Sequence, residues 1–169
     1  DQLCSAVPFV LGGLEKDEKV IYVLHERDKD DIVEALMKVR DVQGDLDAHR
    51  LEFLSSDETY LSGGRFEPDR MMRLLESVES EAMAQGFTGI RGAGEMGWHS
   101  SRKPGVESLM TYEARLNQRY PRSSLNLLCQ YDESVFDAGV LLDAIRTHPK
   151  VVLRGELCAN PYYVAPEDF

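Results

Sequence analysis

Short apolar runs rich in β-branched residues alternate with amphipathic stretches of helical period along most of the chain. Residues 19–24 (KVIYVL) have the length and composition of a buried strand. The acids from Asp28 to Asp31 then open a helix that carries Ile32, Leu36 and Met37 on one face. Leu51, Phe53 and Leu54 mark a second strand. After a Gly-rich connection at 60–68, Pro68 stands where a helix begins. Met71, Leu74, Leu75, Val78 and Ala82 keep helical spacing up to about Gln85, where Gly86 stops it. The pattern continues with a strand at 87–91, a polar loop at 92–105 and a helix from Val106 to Tyr120 that buries Leu109, Tyr112 and Leu116. A strand at 125–131 follows. Asp137 then opens a helix through Leu141, Leu142 and Ile145, which Pro149 ends. Val151 to Leu153 form a last strand, with 156–164 as its partner. Before all of these, residues 7–16 read as the end of a short apolar helix.

Strands that alternate with helices need crossover connections, and crossovers of one hand cover both faces of a parallel sheet. The expected fold is therefore three-layer α/β, with a mainly parallel central sheet and helices on both faces. The 169 residues suit one domain, 1–169, large enough to close its own core. No apolar run reaches membrane-spanning length, and the start has no secretory pattern. Three cysteines without a close pair suit neither a disulfide framework nor a zinc knuckle, so a reducing cytoplasm is the expected compartment. The net charge of −11 repels phosphate backbones, which speaks against direct nucleic-acid binding.

The chemical motifs are few. Gly92-Ala93-Gly94-Glu95-Met96-Gly97 is a literal GxGxxG after a strand, but the residues that follow, Trp98 to Gly105, read as a loop. A dinucleotide site needs a helix N-terminus there, and Glu95 would repel the pyrophosphate. The glycines are otherwise accounted for by tight backbone turns. No GxxxxGK[ST] phosphate loop, GxSxG elbow or HExxH helix is present. No cofactor and no metal is implied by linear spacing. Cys129 reads as a small buried hydrophobe, and His148 as a residue that hydrogen-bonds locally at a helix end.

Acids recur at expected strand ends: Glu26, Glu95 and Asp132. Open α/β sheets bind ligands outside the carboxyl ends of their strands, so these acids are candidates to line one pocket. Their other reading is that they cap helices or accept backbone N–H bonds. Trp98, Tyr112, Tyr131, Tyr162 and Tyr163 are candidates for an aromatic cage. Glu95, Trp98, Gln130 and Asp132 are the expected ligand contacts, with Tyr112 and Glu113 in support. Glu95 is expected in a cleft near Trp98 or Asp132, with the 100–105 loop as a lid.

Several segments in order carry a resemblance: VIYVLHERD at 20–28, TYLSGGRFEPDRM at 59–71, GIRGAGEMGW at 89–98, YEARLN at 112–117, LCQYD at 128–132, FDAGVLLDAIRTHP at 136–149 and NPYYVAPEDF at 160–169. Together they resemble the MEDS domain, the methanogen/methylotroph DcmR sensory domain, over nearly the whole chain. The resemblance implies a RecA-like architecture without a working phosphate loop. It also implies a sensor of simple hydrocarbon derivatives that regulates transcription or signalling through an output domain or partner protein. One spacing departs from the family's. Only Ser5 and Ala6 separate Cys4 from Val7, where family members have a longer stretch, at the place of a RecA-like phosphate loop. A deletion, or a chain break between Cys4 and Ser5, would account for it.

The expected function is thus a non-catalytic sensor of a small organic molecule, with homodimerisation left open. The alternatives are a nucleotide-binding or enzymatic remnant and a pure protein-interaction module. Without a phosphate-loop lysine or a hydroxyl ligand for Mg²⁺, phosphoryl transfer lacks its positioning and charge neutralisation. The purified domain should therefore release no Mg²⁺-dependent phosphate from ATP. Steady release abolished by one substitution is the contrary result.

Overall fold

The apolar runs at 19–24, 51–54 and 125–130 each form a strand of one sheet, and the run at 6–11 lies in a helix. The computed structural model describes residues 3–119, 123–153 and 155–168. Tyr120 and Phe169, each the end of a segment in the sequence analysis, lie outside these. In chain order the elements are α1 (Leu3–Leu14), β1 (Lys19–Leu24), α2 (Lys29–Met37), α3 (Gln43–Asp47), β2 (Leu51–Ser55), α4 (Pro68–Ala84) and β3 (Ile90–Glu95). They continue with α5 (Leu109–Arg119), β4 (Leu125–Gln130), α6 (Ala138–Thr147), β5 (Lys150–Leu153) and β6 (Glu156–Ala159). The central sheet has the order β2-β1-β3-β4, and every pairing in it is parallel. The chain is three-layer α/β, as the alternation predicts.

Pleat alternation sorts the side chains onto two faces. Val20, Tyr22, Leu51 and Ala93 meet Ala6, Val10, Leu11 and Leu14 of α1 and Ile32 and Leu36 of α2. On the opposite face Ile90 and Leu125 pack under Ala82 of α4. Nearer the carboxyl ends, Met71, Leu109 and Tyr112 join a cluster with Tyr60, Phe66, Met96 and Trp98. α1 is fastened by charge as well as burial. Arg91 of β3 donates to the Phe9 carbonyl and pairs with Glu18, in space left by Gly12 and Gly13. The α1 helix runs unbroken through Cys4 and Ser5, so the structure has no break at that junction.

Three expectations change. First, the 92–105 segment is not a loop throughout. β3 runs on to Glu95, and short 3₁₀ turns take up 97–101 and 106–108. Gly92 and Gly94 are thus strand residues, and their lack of side chains has a packing cause. A Cβ at Gly92 would lie 2.9 Å from Leu127 Cδ2, and one at Gly94 2.6 Å from the Tyr60 hydroxyl. Second, Met37, Leu142 and Ile145 are exposed. α6 presents the smaller Ala144 and Thr147 inward, with Val140 and Leu141 packed beside them. Third, the last strand joins no parallel sheet. β5 and β6 form a separate antiparallel hairpin, Lys150 opposite Ala159, and the pairing covers only 156–159 of the expected partner.

The segment after Trp98 is strapped to the 60–68 connection by the Phe66 N–H donating to the Pro104 carbonyl at 2.9 Å. Gly105, next in the chain, has φ 92°, and a Cβ there would overlap the Phe66 carbonyl oxygen. Gly86 has φ 91° but open space around it. Gly86→Ala should cost about 1–2 kcal/mol, the left-handed penalty alone. Gly105→Ala should cost clearly more, because the strap must also move. Denaturant unfolding of the two variants checks the order.

Candidate functional site

Glu95 ends β3 and Gln130 ends β4, side by side in register. Both side chains reach Tyr22 of β1. The Gln130 amide donates to the Tyr22 hydroxyl at 3.0 Å, and that hydroxyl donates to Glu95 Oε1 at 3.3 Å. Burial raises the Tyr22 phenol above its ordinary value, with the Gln130 bond opposing and the Glu95 charge adding. Glu95 is 3% exposed. Its Oε2 accepts the backbone N–H groups of His25 at 2.8 Å, Glu26 at 2.7 Å and Arg27 at 3.3 Å. Its Oε1 pairs with the Arg27 guanidinium at 3.4 Å. A carboxylate so placed receives charge-assisted bonds, the stronger class of hydrogen bond.

The other expected acids stand around this group. Asp132 follows β4, and its carboxylate accepts both the Ser134 hydroxyl and the Ser134 N–H. These bonds, and then the charge of Arg27, hold it below the usual carboxylate range. Arg27 therefore pairs with Glu95 and also acts, through its charge, on Asp132. Glu26 is exposed at the surface, with its carboxylate in the space that Gly97 leaves free.

Trp98 lies on the opposite face of the sheet, away from this polar group. It is fully buried and stacks on Tyr60, with ring centroids 4.8 Å apart and planes at 18°. Phe66 closes a second side at 4.7 Å, and Tyr112 meets Phe66 edge-on at 5.5 Å. This aromatic box is built from the 60–66 connection, the turn after β3 and α5. The Trp98 Nε1–H is buried and has no hydrogen-bond partner among the described residues. Tyr60 and Phe66 escape the sequence reading. They flank the Ser62-Gly63-Gly64-Arg65 turn, and the glycines hide them in what reads as a surface connection. Tyr162 is exposed and Tyr163 half-buried, both beyond β6.

Glu113 sits beside the box, 2% exposed, on α5. Tyr131 donates its hydroxyl to Glu113 Oε1 at 3.0 Å, and Cys129 offers its thiol to Oε2 at 3.7 Å. His148 Nε2 lies 3.7 Å from the same oxygen. Burial first, and then the Glu113 charge, push the Cys129 thiol and the Tyr131 phenol well above their ordinary values. The thiol is thus protonated, as expected of a residue that is not an activated nucleophile. Tyr60 is likewise raised well, by burial first and then by Cys129 and Glu113, so the two groups are electrostatic neighbours.

The structure thus brings the seven expected residues to one end of the sheet but divides them. Glu95 and Gln130 meet at Tyr22, with Arg27 on Glu95 and Asp132 and Glu26 at the neighbouring strand exits, while Trp98, Tyr112 and Glu113 lie across the sheet. The family model of the MEthanogen/methylotroph, DcmR Sensory domain matches residues 1–149. The chain belongs to the MEDS family. MEDS domains are sensory domains, and the quoted motifs from 20 to 149 all fall inside the matched stretch. A search of curated proteins found no match. Among the described residues no helix of this MEDS domain is long and apolar enough to cross a membrane.

Glu95→Gln tests how much the carboxylate does for the fold. Glutamine keeps one acceptor oxygen but turns an NH₂ toward backbone donors or the Tyr22 hydroxyl. A buried charge-assisted acceptor lost in this way should cost about 1.5–3 kcal/mol. Thermal and denaturant unfolding should both register it.

Proposed function

We propose that this MEDS domain senses a small organic molecule within the aromatic box, as the input part of a transcriptional or signal-transduction regulator. One observation carries the reading: a fully buried indole N–H with no acceptor among the described residues. A buried donor left unpaired costs about 1–3 kcal/mol. A ligand oxygen or nitrogen that accepts from Trp98 Nε1 removes that penalty. The walls supply apolar and π surface suited to a small carbon skeleton. The rings already touch, so a ligand has to part them, which favours one of a few heavy atoms, in keeping with simple hydrocarbon derivatives.

Trp98 would supply the orienting hydrogen bond, and Tyr60, Phe66 and Tyr112 the walls. Glu95, with Gln130, holds the turn after β1 in register and so positions the edge of the site. Asp132 and Glu26 stand with that polar group, across the sheet from the box, and Arg27 acts on Glu95 and Asp132. The box walls come from separate stretches of chain, so a ligand touching all of them couples their positions. That is the property a sensor needs for passing occupancy to an output domain or partner protein.

Trp98 is the only tryptophan, so intrinsic fluorescence reports on the box directly. A panel of short alcohols, methylamines and halomethanes should include one that shifts this emission and raises the melting temperature. Phenylalanine keeps the ring packing and removes the N–H. Trp98→Phe should therefore keep most of the stability and lose the ligand-induced rise in melting temperature. A thermal response unchanged in Trp98→Phe is the result against this site.

A further inference from the structure

Glu113, Cys129 and His148 come from α5, β4 and the end of α6, and their ligand atoms all lie within 4.8 Å of one another. The geometry is specific. Glu113 Oε2 is 3.7 Å from the Cys129 sulfur and 3.7 Å from His148 Nε2. Two ligands on one tetrahedral ion, at zinc–sulfur and zinc–oxygen bond lengths, stand about 3.5 Å apart. The two Glu113 distances are thus near those of a common centre, and the Cys129–His148 pair, within 4.8 Å, closes by up to about 1 Å on binding.

The imidazole is already set in the required tautomer. His148 Nδ1 is 2.6 Å from the Ala144 carbonyl oxygen, which can only accept. Nδ1 therefore carries a proton. In the neutral ring the Nε2 lone pair then faces Glu113. Histidine ligands commonly fix their free nitrogen in this manner, by donating the other N–H to a backbone carbonyl. The carboxylate is held as well, since the Tyr131 hydroxyl bonds its Oε1 and leaves Oε2 toward the sulfur and the imidazole. A buried carboxylate, a thiol and an imidazole nitrogen thus converge, and among the described residues the Cys129 sulfur and His148 Nε2 make their polar contacts to Glu113 alone. Mixed sulfur, nitrogen and oxygen donors suit a borderline ion better than Mg²⁺ or Ca²⁺, which take oxygen.

We propose that Glu113, Cys129 and His148 form a binding site for one divalent transition-metal ion of the zinc class. The fourth tetrahedral position is left to water or another small donor. The site stands apart from the Trp98 N–H and does not depend on the reading of the aromatic box. The rival occupant is a proton on His148, which would pair with Glu113 and leave the thiol protonated with no metal bound.

The test uses the full chain, stripped with a chelator and titrated with Zn²⁺ and Co²⁺. One equivalent should bind. The Co²⁺ form should show a thiolate-to-metal charge-transfer band with the intense visible bands of tetrahedral cobalt. Zn²⁺ should shield Cys129 from alkylation, mapped by mass spectrometry, and leave Cys4 reactive. Cys129→Ser should abolish the charge-transfer band, while Cys4→Ser and Cys158→Ser keep it. His148→Gln should weaken affinity about 100-fold or more, beyond the 10–100-fold of outer-shell changes. Should a variant fail to fold, the stoichiometry, spectrum and alkylation map of the unmodified chain still decide. No uptake at micromolar Zn²⁺, or a cobalt spectrum without thiolate character, overturns the proposal. Metal uptake with no response to organic ligands would leave this site standing and remove the box reading, and the converse holds equally.

Discussion

One carboxylate holds the working end of the sheet together. In a parallel sheet each strand leaves at its carboxyl end into a crossover, and the first N–H groups beyond the ladder lose their strand partners. At the end of β1 three such groups, from His25 to Arg27, converge on Glu95 at the end of the neighbouring β3. Tyr22 and Gln130 extend the network across to β4. The exits of three strands are thereby fixed relative to one another. The turn after β3 that buries Trp98 starts at the residue following this anchor.

The two faces of that end have opposite chemistry because strand side chains alternate. Residues 93, 95, 128 and 130 point to the α1 side, and 92, 94, 127 and 129 to the other. Glycine at 92 and 94 thins the second face, and Leu127 occupies the space at the first and Tyr60 at the second. The same spacing that resembles a dinucleotide fingerprint here serves aromatic packing. A phosphate loop needs glycine so that a ligand can approach the backbone; this sheet needs it so that a tyrosine can.

Much of the architecture was legible because hydrophobic period is a local property. The strands at 19–24 and 125–130 and the helix from Pro68 were readable from their own residues. The strand expected at 87–91 is β3 at Ile90–Glu95: Gly-Ala-Gly-Glu has poor strand propensity, which pairing on both sides overrides. The exposure of Leu142 and Ile145 depends on which face α6 turns inward, and small residues decided that. The strand-end acids were legible as a class, but the separation of Trp98, Tyr112 and Glu113 from them, across the sheet, was not. That division depends on a one-residue register that composition does not reveal. Tyr60 and Phe66 were hidden by the glycines between them. The Glu113, Cys129 and His148 group has no linear signature at all, since its members are brought together only by packing of α5, β4 and α6.

β4 carries residues of both groups, Cys129 on one face and Gln130 on the other, and it is an outermost strand of its sheet. Its backbone is paired on the β3 side only, among the described residues. A strand with one ladder separates from its sheet at lower free energy than a strand with two. Anything that attaches to β4 when it is docked, and not when it is detached, stabilises the docked form by mass action. Occupancy on either face would thus be written into amide protection of a single strand, with β1 and β3 serving as the unmoved reference.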